Sequence, residues 1–241
     1  MAFRNLVKNK FSPLINIGGL APRVWLLPSL KSLRTEENKK KMPSIKKIAI
    51  SVFCATLFSN TLFAQDQAPQ LLKQPANWQF ERFALPPEFA PNIPYKGVEE
   101  LRFSPGMFVK DTTTYFTYAF VAELDSVRSV SQDDIRNYLL NYFKGLCSST
   151  AKQRHLSIDT SKISVAIEKN QHAGKDAFYN ATLNIFGVFA DGAPVKLNME
   201  IKVMDDKATS KIYLVFIASP LNKTDKVWMT LHSIQKNFTI P

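Results

Sequence analysis

From Ile163 to Val203, apolar residues recur at alternate positions in three separate runs, and this pattern constrains the fold more than any other feature of the chain. Ile163, Val165 and Ile167 form the first run. Tyr179, Ala181, Leu183 and Ile185 alternate with Asn180, Thr182 and Asn184. Val195, Leu197, Met199, Ile201 and Val203 alternate with Lys196, Asn198, Glu200 and Lys202. A period of two sends successive side chains to opposite faces of a strand. Asp191-Gly192 supplies a turn between the second and third runs, and Asp205-Asp206-Lys207 another after the third. Residues 211–218 are apolar on both sides, as in an interior strand, and Pro220 ends them.

The same reading extends upstream. Residues 98–103 form a short strand that ends at the Pro105-Gly106 turn, and residues 113–124 form a longer one. Ser131, three positions before Asp134, suits a helix N-cap. Ile135, Leu139, Tyr142 and Leu146 follow at helical spacing, with Phe143 and Cys147 widening the stripe. A second helix starts near Thr224 and carries Val227, Leu231, Ile234 and Phe238. Strands, helix, strand meander and helix, without regular βα alternation, predict an α+β fold. The expectation is one domain, an antiparallel sheet of about five to seven strands with two helices packed mainly on one face.

Residues 65–96 hold six prolines interleaved with Trp78, Phe80, Phe83, Phe89 and Tyr95. So many aromatics do not suit a solvated linker. They predict an extended strap over the domain, with at most one short strand near residues 78–85. The α+β domain then covers residues 97–241.

The net charge of +11 does not belong to this domain. Eleven of the 31 lysines and arginines, but only two of the 20 acids, lie in residues 1–64. The remainder is close to neutral, which argues against a nucleic-acid partner, since such a partner needs its basic surplus on the folded surface. Within the basic portion, Met42 opens a run with Lys46 and Lys47, an apolar stretch over residues 48–63, and a small residue, Ala64, before Gln65. This is the layout of a signal peptide over residues 42–64, cleaved after Ala64. The stretch is too short and too interrupted by Ser, Thr and Asn to span a bilayer comfortably. Membrane contact is therefore expected only in transit, and the location is secreted or periplasmic. Residues 1–41 are expected to be a spurious or unstructured upstream extension. Cleavage would remove Cys54 and leave Cys147 as the one thiol, so stability must come from the core.

Reactive groups are sparse. His155, His172 and His232 have no histidine or cysteine at metal-ligand spacing, so no metal site and no cofactor are expected. Cys147 sits on the apolar stripe, as an inert buried thiol does. No nucleophile elbow and no glycine-rich phosphate loop occurs, and no catalytic residue is assigned. Two groups of candidate binding residues remain. Glu100 and Arg102 lie in the run from Gly97 to Phe108, either as strand residues with Glu99 or Glu100 pairing Arg102 at the surface, or as groups presented to a ligand. Asn180, Thr182, Asn184, Lys196, Asn198 and Glu200, with Lys202 beside them, share one face of the meander. That face is either simply solvated or the binding surface for a polar ligand or protein partner.

The run E-E-L-R-F-x-P-G-M-F (Glu99 to Phe108), the aromatic strand after it and Gly145-Leu146-Cys147 resemble a family of uncharacterised secreted bacterial proteins. The resemblance covers most of residues 78–238. It implies an envelope or secreted setting and brings no activity, cofactor or catalytic residue with it. The expectation is an exported envelope or periplasmic protein acting as a non-catalytic binding or structural module. The alternative is a secreted hydrolase whose site sequence patterns do not group.

Overall fold

The computed structural model describes residues 69–170 and 176–241. The expected leader and upstream extension, together residues 1–64, lie outside the described residues, as do residues 65–68 and 171–175, His172 among them. Seven strands form one antiparallel sheet: β1 (Gln79–Leu85), β2 (Gly97–Phe103), β3 (Tyr118–Asp125), β4 (Ser164–Asn170), β5 (Ala177–Phe186), β6 (Pro194–Asp206) and β7 (Lys211–Ser219). Their order across the sheet is β1-β2-β3-β7-β6-β5-β4. Helix α1 (Gln132–Arg154) connects β3 to β4, and α2 (Lys226–Asn237) follows β7. The fold is α+β.

Local chemistry accounts for the elements. At the start of α1, the Asp134 amide donates to Ser131 Oγ while the Asp134 carboxylate accepts the Ser131 amide, a reciprocal cap. The helix ends at His155, which takes the left-handed conformation at φ 56°. Strand β3 begins at Tyr118, later than the alternation from residue 113 predicts. The fully buried Phe116 is left-handed at φ 49°, and its amide donates to the Met107 carbonyl at 2.9 Å. The chain there folds back as a loop instead of extending.

The two helices divide between the faces of the sheet, in place of the expected gathering on one. Toward α1 point Phe120, Ala122 and Leu124 of β3, Leu214 and Phe216 of β7, and Leu183, Leu197 and Ile201 of the meander. Toward α2 point Ala119 and Val121 of β3 and Tyr213, Val215 and Ile217 of β7, joined by Trp228, Leu231 and Ile234. The reason lies in the central pair of strands. β3 and β7 are apolar on both faces, so each face needs its own cover. Leu72 and Trp78, ahead of β1, complete the second core.

Candidate functional site

The register places the polar meander residues in rows across three strands. Ser164, Asn184 and Lys196 form one row, then Ala166, Thr182 and Asn198, then Glu168, Asn180 and Glu200, then Asn170, Phe178 and Lys202. All lie on the α2 side of the sheet. Alternation puts them there because their neighbours Ala181, Leu183, Leu197, Met199 and Ile201 are buried toward α1. Asn184 and Lys196 are exposed, while Asn180, Thr182, Asn198, Glu200 and Lys202 are half-buried.

Along one side of this face, residues that follow β7 contribute to it. Glu200 pairs with Lys223 at 2.8 Å and lies 3.1 Å from His232 Nε2 on α2. Lys223 also donates to Asn180 Oδ1 at 2.6 Å, and Asn180 in turn donates to Asn170 at 2.5 Å. Asn198 donates to the Leu221 carbonyl, and Asn184 to Ser164 Oγ. Lys202 pairs with Asp176. The result is a connected surface of amides and hydroxyls carrying both charges, with the Trp228 and His232 rings 5.7 Å apart at its border. Pairs this exposed contribute only about 0–1 kcal/mol each to folding. Stability alone therefore does not explain their arrangement.

Glu100 and Arg102 lie on the same side of the sheet but three strands away, about 14 Å by the strand spacing. Both are buried, and both hold the chain's own strap. Glu100 Oε2 accepts the amides of Leu71 and Leu72 at 2.7 and 3.0 Å, and Oε1 accepts Arg82 at 2.9 Å. Arg102 donates to the Leu72 carbonyl at 2.9 and 2.7 Å, to Gln70 at 2.7 Å and to the Trp78 carbonyl, with its guanidinium 4.7 Å above the Phe80 ring. Glu100 and Arg102 do not pair with each other at the surface; they clamp the main chain of Leu71 and Leu72 and the side chain of Gln70. The other acid of that reading, Glu99, is fully buried on the α1 side.

The remaining candidates for chemistry do not converge. Cys147 is buried and contacts the Phe186 carbonyl, and desolvation pushes its thiol up to about 11. His155 is the exposed cap of α1. Among the described residues no group of three or more His, Cys, Asp or Glu is placed to hold a metal ion, and no helix is long and apolar enough to cross a membrane. One cleft of about 360 Å³ runs between residues 69–75 and the C-terminal half of α2. Another, of about 590 Å³, lies among Trp78, Ser104, Thr114, Leu221 and Asp225. Neither includes the His232–Glu200 contact.

Sequence alternation identified the polar face but not Lys223 and His232. They join it because α2 packs on that same side, which no local pattern encodes. No protein-family model, curated protein or solved structure matches the chain.

Proposed function

We propose that this is an exported envelope or periplasmic protein, a non-catalytic module that binds a polar ligand on the β4–β6 face. The observation that carries this reading is the continuous set of Thr182, Asn184, Lys196, Asn198 and Glu200, with Lys223 and His232 at its edge. Donors and acceptors of both charges stand there on a rigid sheet, where fixed geometry favours specific hydrogen bonding. The face is open, so it suits recognition better than chemistry that requires water to be excluded. The signal-peptide layout of residues 42–64 supports the exported setting.

Cell fractionation with N-terminal sequencing tests the compartment: the expected mature start is Gln65, and a cytosolic product that retains residues 42–64 overturns it. For the face, amide chemical shifts are followed while soluble cell-wall oligosaccharides are added as probes. Expected shifts cluster at Thr182, Asn184 and Asn198 and vanish in Thr182→Trp. Saturable shifts centred on another surface, or none at millimolar probe, count against this ligand class.

The alternative of a secreted hydrolase draws on one contact, that of His232 with Glu200. An imidazole held by a carboxylate can move a proton. The pair is half-exposed and, among the described residues, has no serine, threonine or cysteine within its hydrogen bonds. Activity against generic ester and glycoside substrates that disappears in His232→Ala would favour the hydrolase.

A further inference from the structure

The most unusual charge environment in the molecule lies away from the polar face, under α1. Glu99 projects from β2 into the apolar core and is fully buried. Tyr138 and Tyr142, one helical turn apart on α1, donate their phenol hydrogens to its two oxygens at 2.7 and 2.9 Å. On the neighbouring strand β1, Glu81 points to the same side, and both of its oxygens are buried with no hydrogen-bond partner among the described residues. The hydroxyl of Tyr118, from β3, is likewise buried and unpartnered there.

The groups facing Glu99 are therefore Tyr138 and Tyr142 from α1, Glu81 from β1 and Tyr118 from β3, with Tyr95 of the β1–β2 connection against the Tyr138 ring. None of the ion pairs among the described residues involves Glu81 or Glu99. Among the described residues a carboxylate anion in such a place has no ion-pair partner, and a second one beside it adds repulsion. Burying an ionised carboxyl without a counter-charge is unfavourable enough that the group holds its proton instead.

The cover over these acids is specific. The connection of residues 86–96 packs onto α1 at Gly145, where a Cβ would lie 2.0 Å from the Phe89 carbonyl oxygen. Phe89 meets the Tyr142 ring edge-on at 5.0 Å. One carboxyl group thus touches the helix that roofs it, and that helix holds the adjoining loop.

We propose that Glu99, coupled to Glu81, is a proton-operated latch: the protonated acids hold α1 and residues 86–96 closed on the sheet, and loss of the protons loosens that roof. The charges driving release are internal, so the roof opens before the meander and α2. Desolvation, partly offset by the hydrogen bonds from Tyr138 and Tyr142 and assisted by Glu81, raises Glu99 from 4.5 to about 8. Desolvation raises Glu81 to about 7. Folded-state values above the unfolded ones mean that the native state holds extra protons. Their stabilisation is complete below about pH 4.5 and is lost as the pH rises through 7 to 8.

The test is hydrogen exchange of the full chain between pH 5.5 and 9, corrected for the chemical exchange rate, in the wild type and in Glu99→Gln. In the wild type, protection of α1 and residues 86–96 falls by up to about tenfold per pH unit for each proton released, ahead of β6, β7 and α2. Glu99→Gln, which mimics the neutral acid, flattens that dependence. Loss spread evenly over the whole sheet, no pH dependence, or an unaltered dependence in Glu99→Gln overturns the latch. Should the variant not fold, infrared spectroscopy of the wild type decides. A protonated-carboxyl band persisting at pH 6 and bleaching by pH 9 supports the latch, and its absence at pH 6 overturns it.

Discussion

Glu99 and Glu100 are adjacent in the chain, fully buried, and committed to opposite faces of the same strand. Glu99 receives two phenol hydrogens from α1, whereas Glu100 receives two strap amides and the Arg82 guanidinium. Glu100 is matched by a cation and two backbone N–H donors. Glu99 has neutral donors and an acidic neighbour, so desolvation wins and the proton stays.

Removing the charged partner of the strap should therefore be severe. Glu100→Ala leaves the amides of Leu71 and Leu72 unmatched and Arg82 without its acid. Each buried donor left unmatched costs about 1–3 kcal/mol. Limited proteolysis read by mass spectrometry should show new cleavage within residues 69–77 in Glu100→Ala and Arg102→Ala. A strap that stays resistant in both variants would show that the clamp does not hold it.

The second core depends on one large side chain. Trp228 is almost completely buried and its indole N–H donates to the Leu221 carbonyl at 3.1 Å. Trp228→Ala should cost about 3–5 kcal/mol. For a domain of this size that corresponds to a fall in Tm on the order of 10 °C, measurable by calorimetry. Met229, its neighbour, is 74% exposed, and Met229→Ala should leave Tm nearly unchanged.

Cys147 should be chemically silent in the native protein. Burial pushes the thiol up to about 11, so almost no thiolate exists at neutral pH, and the side chain is out of reach of solvent. Iodoacetamide labelling followed by peptide mapping should modify Cys147 only after urea unfolding. Rapid native labelling at pH 7 would contradict its burial.

Much of the architecture is legible in the sequence because period-two runs and caps are local signals. The Ser131/Asp134 pair marks the start of α1, and Asp191-Gly192 separates β5 from β6 as the register shows. The placing of the helices is the exception: the sequence predicts them mainly on one face, whereas β3 and β7 are apolar on both and each face takes its own cover. What local patterns do not carry is partnership. Glu99 reads as a surface acid until Tyr138 and Tyr142, about forty positions later, are brought against it. Glu100 and Arg102 stand out in sequence, yet their partners lie roughly thirty positions upstream in the strap. The polar face was visible from alternation, but Lys223 and His232 join it only through tertiary packing.

The polar face should separate from the fold energetically. Asn198→Ala, Thr182→Val and Glu200→Gln each alter exposed or half-exposed groups, and each should shift the unfolding free energy by less than about 1 kcal/mol. Urea unfolding measures this directly. Losses of several kcal/mol would mean that the face is structural and would remove its claim as a recognition surface.

The two tyrosines over Glu99 give the sharpest test of its electrostatics. Their hydrogen bonds favour the ionised form and so lower the acid from the value burial alone would impose. Tyr142→Phe removes one such donor, makes the carboxylate less favourable and moves the proton-release step to higher pH. The same substitution also removes a net hydrogen bond worth about 1 kcal/mol. The two effects separate along the pH axis. Lost packing or hydrogen bonding to the neutral acid lowers stability equally at pH 5 and pH 6, where Glu99 is protonated. A displaced titration changes the position of the alkaline fall. Urea midpoints collected from pH 5 to pH 9.5 should therefore show both a constant offset and a transition displaced upward. Displacement downward would mean that the phenols stabilise the protonated acid more than the anion, reversing the sign assigned to them.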